Sequence, residues 1–103
     1  MFARVARYEV EPERMKEAID AFREAVTELE GLEGLMSGSV LADAGDGVII
    51  SMTVWETRAA MESSEVKAAG LRHQAVSQVD GTVASVQSFD VVAEIGKTAP
   101  TTA

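Results

Sequence analysis

One histidine, His73, is the most versatile chemical group in this chain. An imidazole can accept a proton, donate one or bind a metal, because its ordinary pKa is about 6.5. His73 falls inside a predicted helix. It is therefore either a functional acid, base or axial ligand, or a structural residue at the solvent edge or hydrogen-bonded beneath a sheet.

Two further polar side chains, Arg4 and Tyr8, share one face of a predicted strand over residues 2–10, with Ala6 between them. If helices cover that face, both side chains point into a pocket. Arg4 can then hold a phenolate or carboxylate, and Tyr8 can donate a hydrogen bond. The alternative places Arg4 at the rim, paired with a helix glutamate, and Tyr8 in the core with a hydrated hydroxyl.

A third group lies on the strand pattern of residues 48–57. Ser51, Thr53 and Trp55 share one face with Ile49, and the opposite face carries Val48, Ile50, Met52 and Val54. Trp55 can stack on a flat ligand or cap the end of a core strand. The hydroxyls of Ser51 and Thr53 can bind a ligand or simply fill the strand.

Composition narrows the function classes. There is no cysteine, and no second histidine, HExxH, P-loop or Rossmann motif, so we expect no metal site and no cofactor. The formal charge of −8 disfavours nucleic acid, although an anionic ligand remains compatible with a local cluster of Arg4, Arg7, Arg58, Lys67 and Arg72. No membrane span and no export signal are visible, which predicts a cytoplasmic protein.

The elements that position these residues follow the order β-α-β-β-α-β. Apolar residues at helical spacing after Pro12 predict a first helix, and strands are predicted over residues 35–43, 48–57 and 83–95. Thr57 is the expected N-cap of a second helical region, kinked or split near Ser64. This order predicts an α+β, ferredoxin-like fold: a four-stranded antiparallel sheet with two helices on one face. The domain spans residues 1–95, and 96–103 form a flexible tail.

Two helices cover only one face of such a sheet, so the other face is expected to expose an apolar patch. Val86 or Phe89 would contribute to it, together with one of the two residue sets of strand three. Pairing with a second copy across a twofold axis would bury this patch. The sequence therefore predicts a homodimer.

The strand order, the Glu-Gly-Leu lead into strand two and the segment Thr53-Val54-Trp55-Glu56-Thr57 together resemble the antibiotic-biosynthesis-monooxygenase family. This family belongs to the dimeric α/β-barrel superfamily, and the likeness covers residues 3–95. The resemblance implies a pocket between sheet and helices in each subunit. Family members include cofactor-free monooxygenases acting on aromatic polyketides or quinols, haem-degrading monooxygenases and small-molecule isomerases.

Haem-degrading members carry three marked site residues, and the resemblance places only one of them here. The strand-one Asn falls at Ala6, the helix Trp at Ser64 and the haem-binding His at His73. Ala6 cannot donate the hydrogen bond and Ser64 lacks the bulk. The resemblance therefore argues against haem degradation by that route, while haem binding through His73 stays possible.

The function predicted from these features is a cofactor-independent monooxygenase-like enzyme acting on a small aromatic or quinol-type substrate. In this hypothesis His73 accepts a proton, Arg4 and Tyr8 orient the substrate anion, and Trp55 is a stacking wall. Ser51 and Thr53 supply further substrate contacts. The alternatives are a haem-binding, non-degrading protein that uses His73, or a non-enzymatic small-molecule-binding dimer.

Overall fold

A computed structural model describes residues 1–95, and the tail predicted over 96–103 lies outside the described residues. The strands are β1 (Phe2–Glu9), β2 (Leu35–Asp43), β3 (Val48–Trp55) and β4 (Thr82–Asp90). The α-helices are α1 (Met15–Thr27), α2 (Arg58–Ser63) and α3 (Glu65–Gln78), and a short 3-10 turn (Pro12–Arg14) precedes α1. The sheet order is β2-β3-β1-β4 with every neighbouring pair antiparallel, which confirms the predicted ferredoxin-like α+β fold.

The second helical region is split, as the sequence suggested. Thr57 begins it, because its hydroxyl accepts a hydrogen bond from the Ala60 backbone N–H at 3.0 Å. Ser64 separates α2 from α3, but it does not cap α3. Its hydroxyl donates instead to the Met61 carbonyl oxygen at 2.7 Å. Arg4, near the start of β1, donates to both of these groups and ties the junction to that strand.

The hairpin between β2 and β3 depends on Gly47. This residue has φ +67°, and a Cβ at this position would collide with the carbonyl oxygen of Val10. The close approach lets the Val10 N–H donate to the Gly47 carbonyl at 2.8 Å. The turn is thereby tied to the end of β1, which holds β1 and β3 in register.

The last strand is shorter than the prediction of residues 83–95. It ends at Asp90, which pairs with Phe2 at the start of β1. Val91 makes one more backbone hydrogen bond, to the carbonyl of Met1 at 2.9 Å, and this contact already lies before the first residue of β1. Val92 and Ile95 are accordingly almost fully exposed.

The two faces of the sheet differ sharply in burial. On one face, α1 and α3 cover Ala6, Tyr8 and Ile49, which join Phe22 and Val79 in the core. The opposite face, here called the open face, carries the Val48, Ile50, Met52 and Val54 set of β3, together with Val5 of β1.

Within residues 1–95 no helix covers the open face, and its Leu41 and Phe89 are 51% and 47% exposed. Phe89 lies on this face because it pairs with Ala3, whereas Val86 pairs with Ala6 on the helix-covered face. Between residues 1 and 95, no helix is both long enough and apolar enough to span a bilayer.

Candidate functional site

A small cavity of about 40 Å³ lies between the helix-covered face of the sheet and helices α1 and α3. Its apolar wall includes Phe22, Leu29 and Leu71. Its polar lining consists of Arg4, Tyr8, Ser51, Thr53 and Arg72. The structure therefore brings together four of the residues singled out from the sequence, two from β1 and two from β3, because these strands are neighbours.

Arg4 is the most firmly held of these side chains. It is buried, and it donates to the Met61 carbonyl oxygen at 2.6 Å and to the Ser64 hydroxyl at 3.1 Å. Its Nε lies 3.0 Å from a carboxylate oxygen of Glu65. Arg4 therefore lines the cavity and also pairs with a helix glutamate, although it is buried and not at the rim; its role in binding a substrate stays a prediction.

Glu65 is shared between two arginines. One oxygen faces Arg4 and the other lies 3.6 Å from Arg72. Glu65 was not predicted from the sequence, and Arg72 was predicted only as one of several basic residues. The spacing of the two indicates that they can meet, because residues seven apart on a helix lie on the same side, two turns apart.

A hydroxyl pair forms the floor of the cavity. The oxygens of Tyr8 and Ser51 are 3.1 Å apart, and the Tyr8 ring packs against Phe22 with ring centroids 4.4 Å apart. Either hydroxyl can donate to the other. Whichever donates, the acceptor's own hydrogen remains for a ligand.

Trp55 lies behind the cavity and is not part of its lining. It is fully buried, and its indole Nε1 donates to the Thr53 hydroxyl at 2.9 Å. The guanidinium carbon of Arg4 sits 5.9 Å from its ring centroid, within reach of a cation–π contact. Trp55 therefore orients Thr53 and Arg4, while its role as a stacking wall stays a prediction.

His73 lies on the exposed side of α3 and does not line the cavity. The neighbouring Arg72 points inward, because successive helix residues are turned by about 100°. The predicted role of His73 as proton acceptor is therefore not supported by a contact with the cavity, and it remains a prediction.

The cavity is small, but larger grooves adjoin it. It has room for about three water molecules, since each needs roughly 10–15 Å³, whereas a benzene-binding cavity measures about 150 Å³. Val26 and Thr53 also line a groove of about 310 Å³ between α1 and β2, which runs past Gly38. Ala25 and Leu71 also line a groove of about 180 Å³ between α1 and α3. A shift of Val26 or Leu71 would join the cavity to one of these grooves.

The electrostatics of the cavity favour an anion. Arg4 and Arg72 contribute two positive charges and Glu65 one negative charge, so this group of three is net positive in a chain of formal charge −8. Burial lowers the pKa of the Arg4 guanidinium, and the adjacent Glu65 opposes that shift. An arginine stays protonated at neutral pH even so.

The arrangement does not fit a haem. Ser64 and Ala6, at the positions of the Trp and the Asn of haem-degrading family members, are buried in contact with protein. His73 points away from the cavity. A porphyrin also needs far more room than about 40 Å³. Among residues 1–95, no cluster of three or more His, Asp or Glu side chains is placed to hold a metal ion.

Fold and site together define a ferredoxin-like domain with a polar cavity between its sheet and its helices. The sequence profile of the antibiotic biosynthesis monooxygenase family matches residues 1–82. The chain belongs to that family, which confirms the resemblance seen in the sequence. A comparison with curated proteins finds no match.

Solved structures with the same fold share little sequence with this chain. A candidate antibiotic biosynthesis monooxygenase from Deinococcus radiodurans is 13% identical, with TM-score 0.74, covering 96% of this chain and 100% of the other. The haem degrader MhuD from Mycobacterium tuberculosis, solved with two haems in its active site, is 18% identical, with TM-score 0.69, covering 93% and 100%. At such identities the likeness establishes the fold alone.

Proposed function

We propose that this protein is a cofactor-independent monooxygenase-like enzyme acting on a small aromatic or quinol-type substrate. The observation that carries the proposal is the cavity itself, which joins a buried Arg4 to the Tyr8–Ser51 hydroxyl pair beside an apolar wall. Family membership supports the general class of activity.

The chemistry needs little from the protein besides binding. An electron-rich quinol anion can itself reduce oxygen, so the site has to stabilise the oxyanion, orient the ring and exclude water. Arg4 supplies the fixed positive charge, and Tyr8 supplies a hydroxyl donor. Phe22 and Leu71 supply the apolar surroundings.

The reaction balances without an external reductant. One atom of O₂ enters the ring of a quinol, and the other leaves as water with two substrate hydrogens. A hydroxyquinone is the product. The substrate gives up four electrons and O₂ accepts all four.

A ring-sized substrate would extend beyond the cavity. Its oxyanion would lie at Arg4, and its ring would pass Val26 into the groove beside Gly38. Gly38 has no side chain to fill that groove, and a Cβ there would stand 3.4 Å from Val26 Cγ1. Substrate binding in this position requires Val26 to move.

Oxygen uptake with a panel of dihydroxy-aromatic compounds tests the proposal. Uptake should require the protein and should fall in Tyr8→Phe, which keeps the ring packed on Phe22 but removes the donor. Arg23→Met, an exposed change on α1, is the control and should behave like the wild type. A panel that gives no uptake above the protein-free rate would remove the oxygenase function.

His73→Ala tests the proton acceptor separately. If His73 accepts the proton, directly or through water, uptake falls sharply in this variant. Unchanged uptake would assign proton acceptance to solvent, in agreement with the exposed position of His73.

We propose further that the protein works as a homodimer. The open face exposes Leu41 and Phe89 beside the half-buried Met52 and Val54, and a second copy of the same face would cover them.

The second candidate function is a non-enzymatic binder of small molecules. The cavity volume of about 40 Å³ favours it, because a ligand head group fits there without any movement of Val26 or Leu71. Ligand binding without oxygen uptake would select this function over the first.

A further inference from the structure

Arg72 is a nearly buried cation with few partners. Its side chain is only 12% exposed, yet within residues 1–95 its one ionic contact is to Glu65 at 3.6 Å, and it makes no hydrogen bond there. Its guanidinium nitrogens still reach solvent, because no fully buried side-chain nitrogen or oxygen among residues 1–95 lacks a hydrogen-bond partner. These N–H groups are therefore accessible to a ligand. One distant carboxylate oxygen is a weak partner for such a group.

Arg4 also keeps unused donors. A guanidinium has five N–H groups, and the described contacts to Met61, Ser64 and Glu65 occupy three of them. The two that remain belong to a side chain lining the cavity. Both arginines therefore offer N–H groups to an acceptor placed between them.

Glu65 is the most exposed member of the group. Its side chain is 46% exposed, and the residue lies at the start of α3, so the side chain can turn into solvent without unpacking the core. Arg4 cannot leave in the same way, because neighbours on α2 and at the α2–α3 junction hold it.

We propose that Glu65 acts as an internal anion that occupies the Arg4–Arg72 site until the oxyanion of a ligand displaces it. The ligand class, which rests on the proposed function, is an organic oxyanion, either a carboxylate or an ionised phenol. Departure of Glu65 leaves two guanidinium groups without a counter-charge, and a ligand must replace it. A neutral ligand of the same shape cannot do so, and the site excludes it.

The test measures binding without any chemistry. Trp55 is the only tryptophan and lies against Arg4, so its fluorescence reports on the site, and calorimetry gives the affinity. Benzoate and its neutral analogue benzamide form the carboxylate arm. Ionised and neutral 4-nitrophenol, compared by calorimetry on either side of its own pKa, form the phenolate arm.

Glu65→Gln removes the internal charge and keeps the shape. We expect it to bind the favoured oxyanion at least about tenfold more tightly than the wild type, since one charge-assisted contact no longer has to be broken. The exposed Glu62→Gln changes net charge equally and should leave the affinity unchanged. Arg72→Met keeps the Arg4–Glu65 pair and should weaken binding by at least about tenfold.

Two results would overturn the inference: an equal gain in affinity for benzamide in Glu65→Gln, or an unchanged affinity for the oxyanion in both Glu65→Gln and Arg72→Met. Either result would leave the three charges with a purely structural role, as a link between β1 and α3. Thermal unfolding shows which variants are folded. If Glu65→Gln does not fold, Arg72→Met still tests the site. Selective oxyanion binding without oxygen uptake would refute the oxygenase proposal alone. Uptake without oxyanion selectivity would refute this inference alone.

Discussion

A charge on the open face should separate the two copies of the proposed dimer. Val54 lies on this face one residue before the end of β3, beside Ala3 of β1 and Ser37 of β2, with no basic residue paired to it. Val54→Asp places a carboxylate there once per protomer, and twice in a symmetric dimer. Val66→Asp is the matched control, because Val66 is 87% exposed on α3, which covers the other side of the sheet.

The size of the effect follows from burial. A standard interface of about 1,600 Å² that is somewhat over half apolar gives a gross hydrophobic term of about 20 kcal/mol, from which association costs of about 4–15 kcal/mol are subtracted. Each buried aspartate must be desolvated or neutralised. Neutralisation at pH 7 costs about 4 kcal/mol for an ordinary pKa near 3.9, so two copies lose up to about 8 kcal/mol. Even half of that raises the dissociation constant about a thousandfold.

Sedimentation velocity at micromolar concentration gives the result. The wild type and Val66→Asp should sediment at twice the chain mass of 10.9 kDa, and Val54→Asp at the chain mass, with circular dichroism showing all three folded. A wild type of 10.9 kDa, or a Val54→Asp variant that remains dimeric, would refute a dimer formed through the open face.

Four further predictions concern the site and its scaffold. Tyr8→Phe should weaken oxyanion binding about tenfold and cost no more than about 1.5 kcal/mol of stability, because only one hydroxyl contact is lost; calorimetry and urea unfolding measure the two effects. Gly38→Val should fill the groove past Val26, so uptake of ring substrates falls while acetate still binds at Arg4; equal loss of both would contradict the proposed path of the ring. Gly47→Ala should destabilise the fold by at least about 2 kcal/mol, seen as a drop of roughly 10 °C in Tm, whereas Gly45→Ala in the same turn, where a Cβ would meet only an Asp43 side-chain oxygen at 3.7 Å, should be near neutral. Arg4→Met should lower the free energy of unfolding by about 1–3 kcal/mol, because the charged donor to the Met61 carbonyl and the Ser64 hydroxyl is lost; an unchanged urea midpoint would contradict this.

The sequence predicted the fold well because the strands carry their pattern locally. Alternation along β3 separates Ile49 and Trp55, which are buried, from Val48 and Val54, which lie on the open face. The end of β4 could not be read in this way. Residues 91–95 continue an apolar pattern, but strand pairing stops where β1 begins, and that depends on register.

The candidate site was predicted only in part, for reasons of geometry. Arg4, Tyr8, Ser51 and Thr53 belong to neighbouring strands, so fold and alternation suffice to bring them together. Glu65 and the face of α3 that carries Arg72 depend on how the helix is rotated after the break at Ser64. A difference of one residue there turns a side chain by about 100°, which separates Arg72 in the cavity from His73 in solvent.

Mass spectrometry of the product formed under ¹⁸O₂ tests whether this cavity binds a quinol oxyanion and lets it react with oxygen. We expect one ¹⁸O atom in each hydroxyquinone, formed by the wild type and much reduced in Tyr8→Phe. A product that carries no ¹⁸O, or one that forms equally fast without the protein, would contradict it.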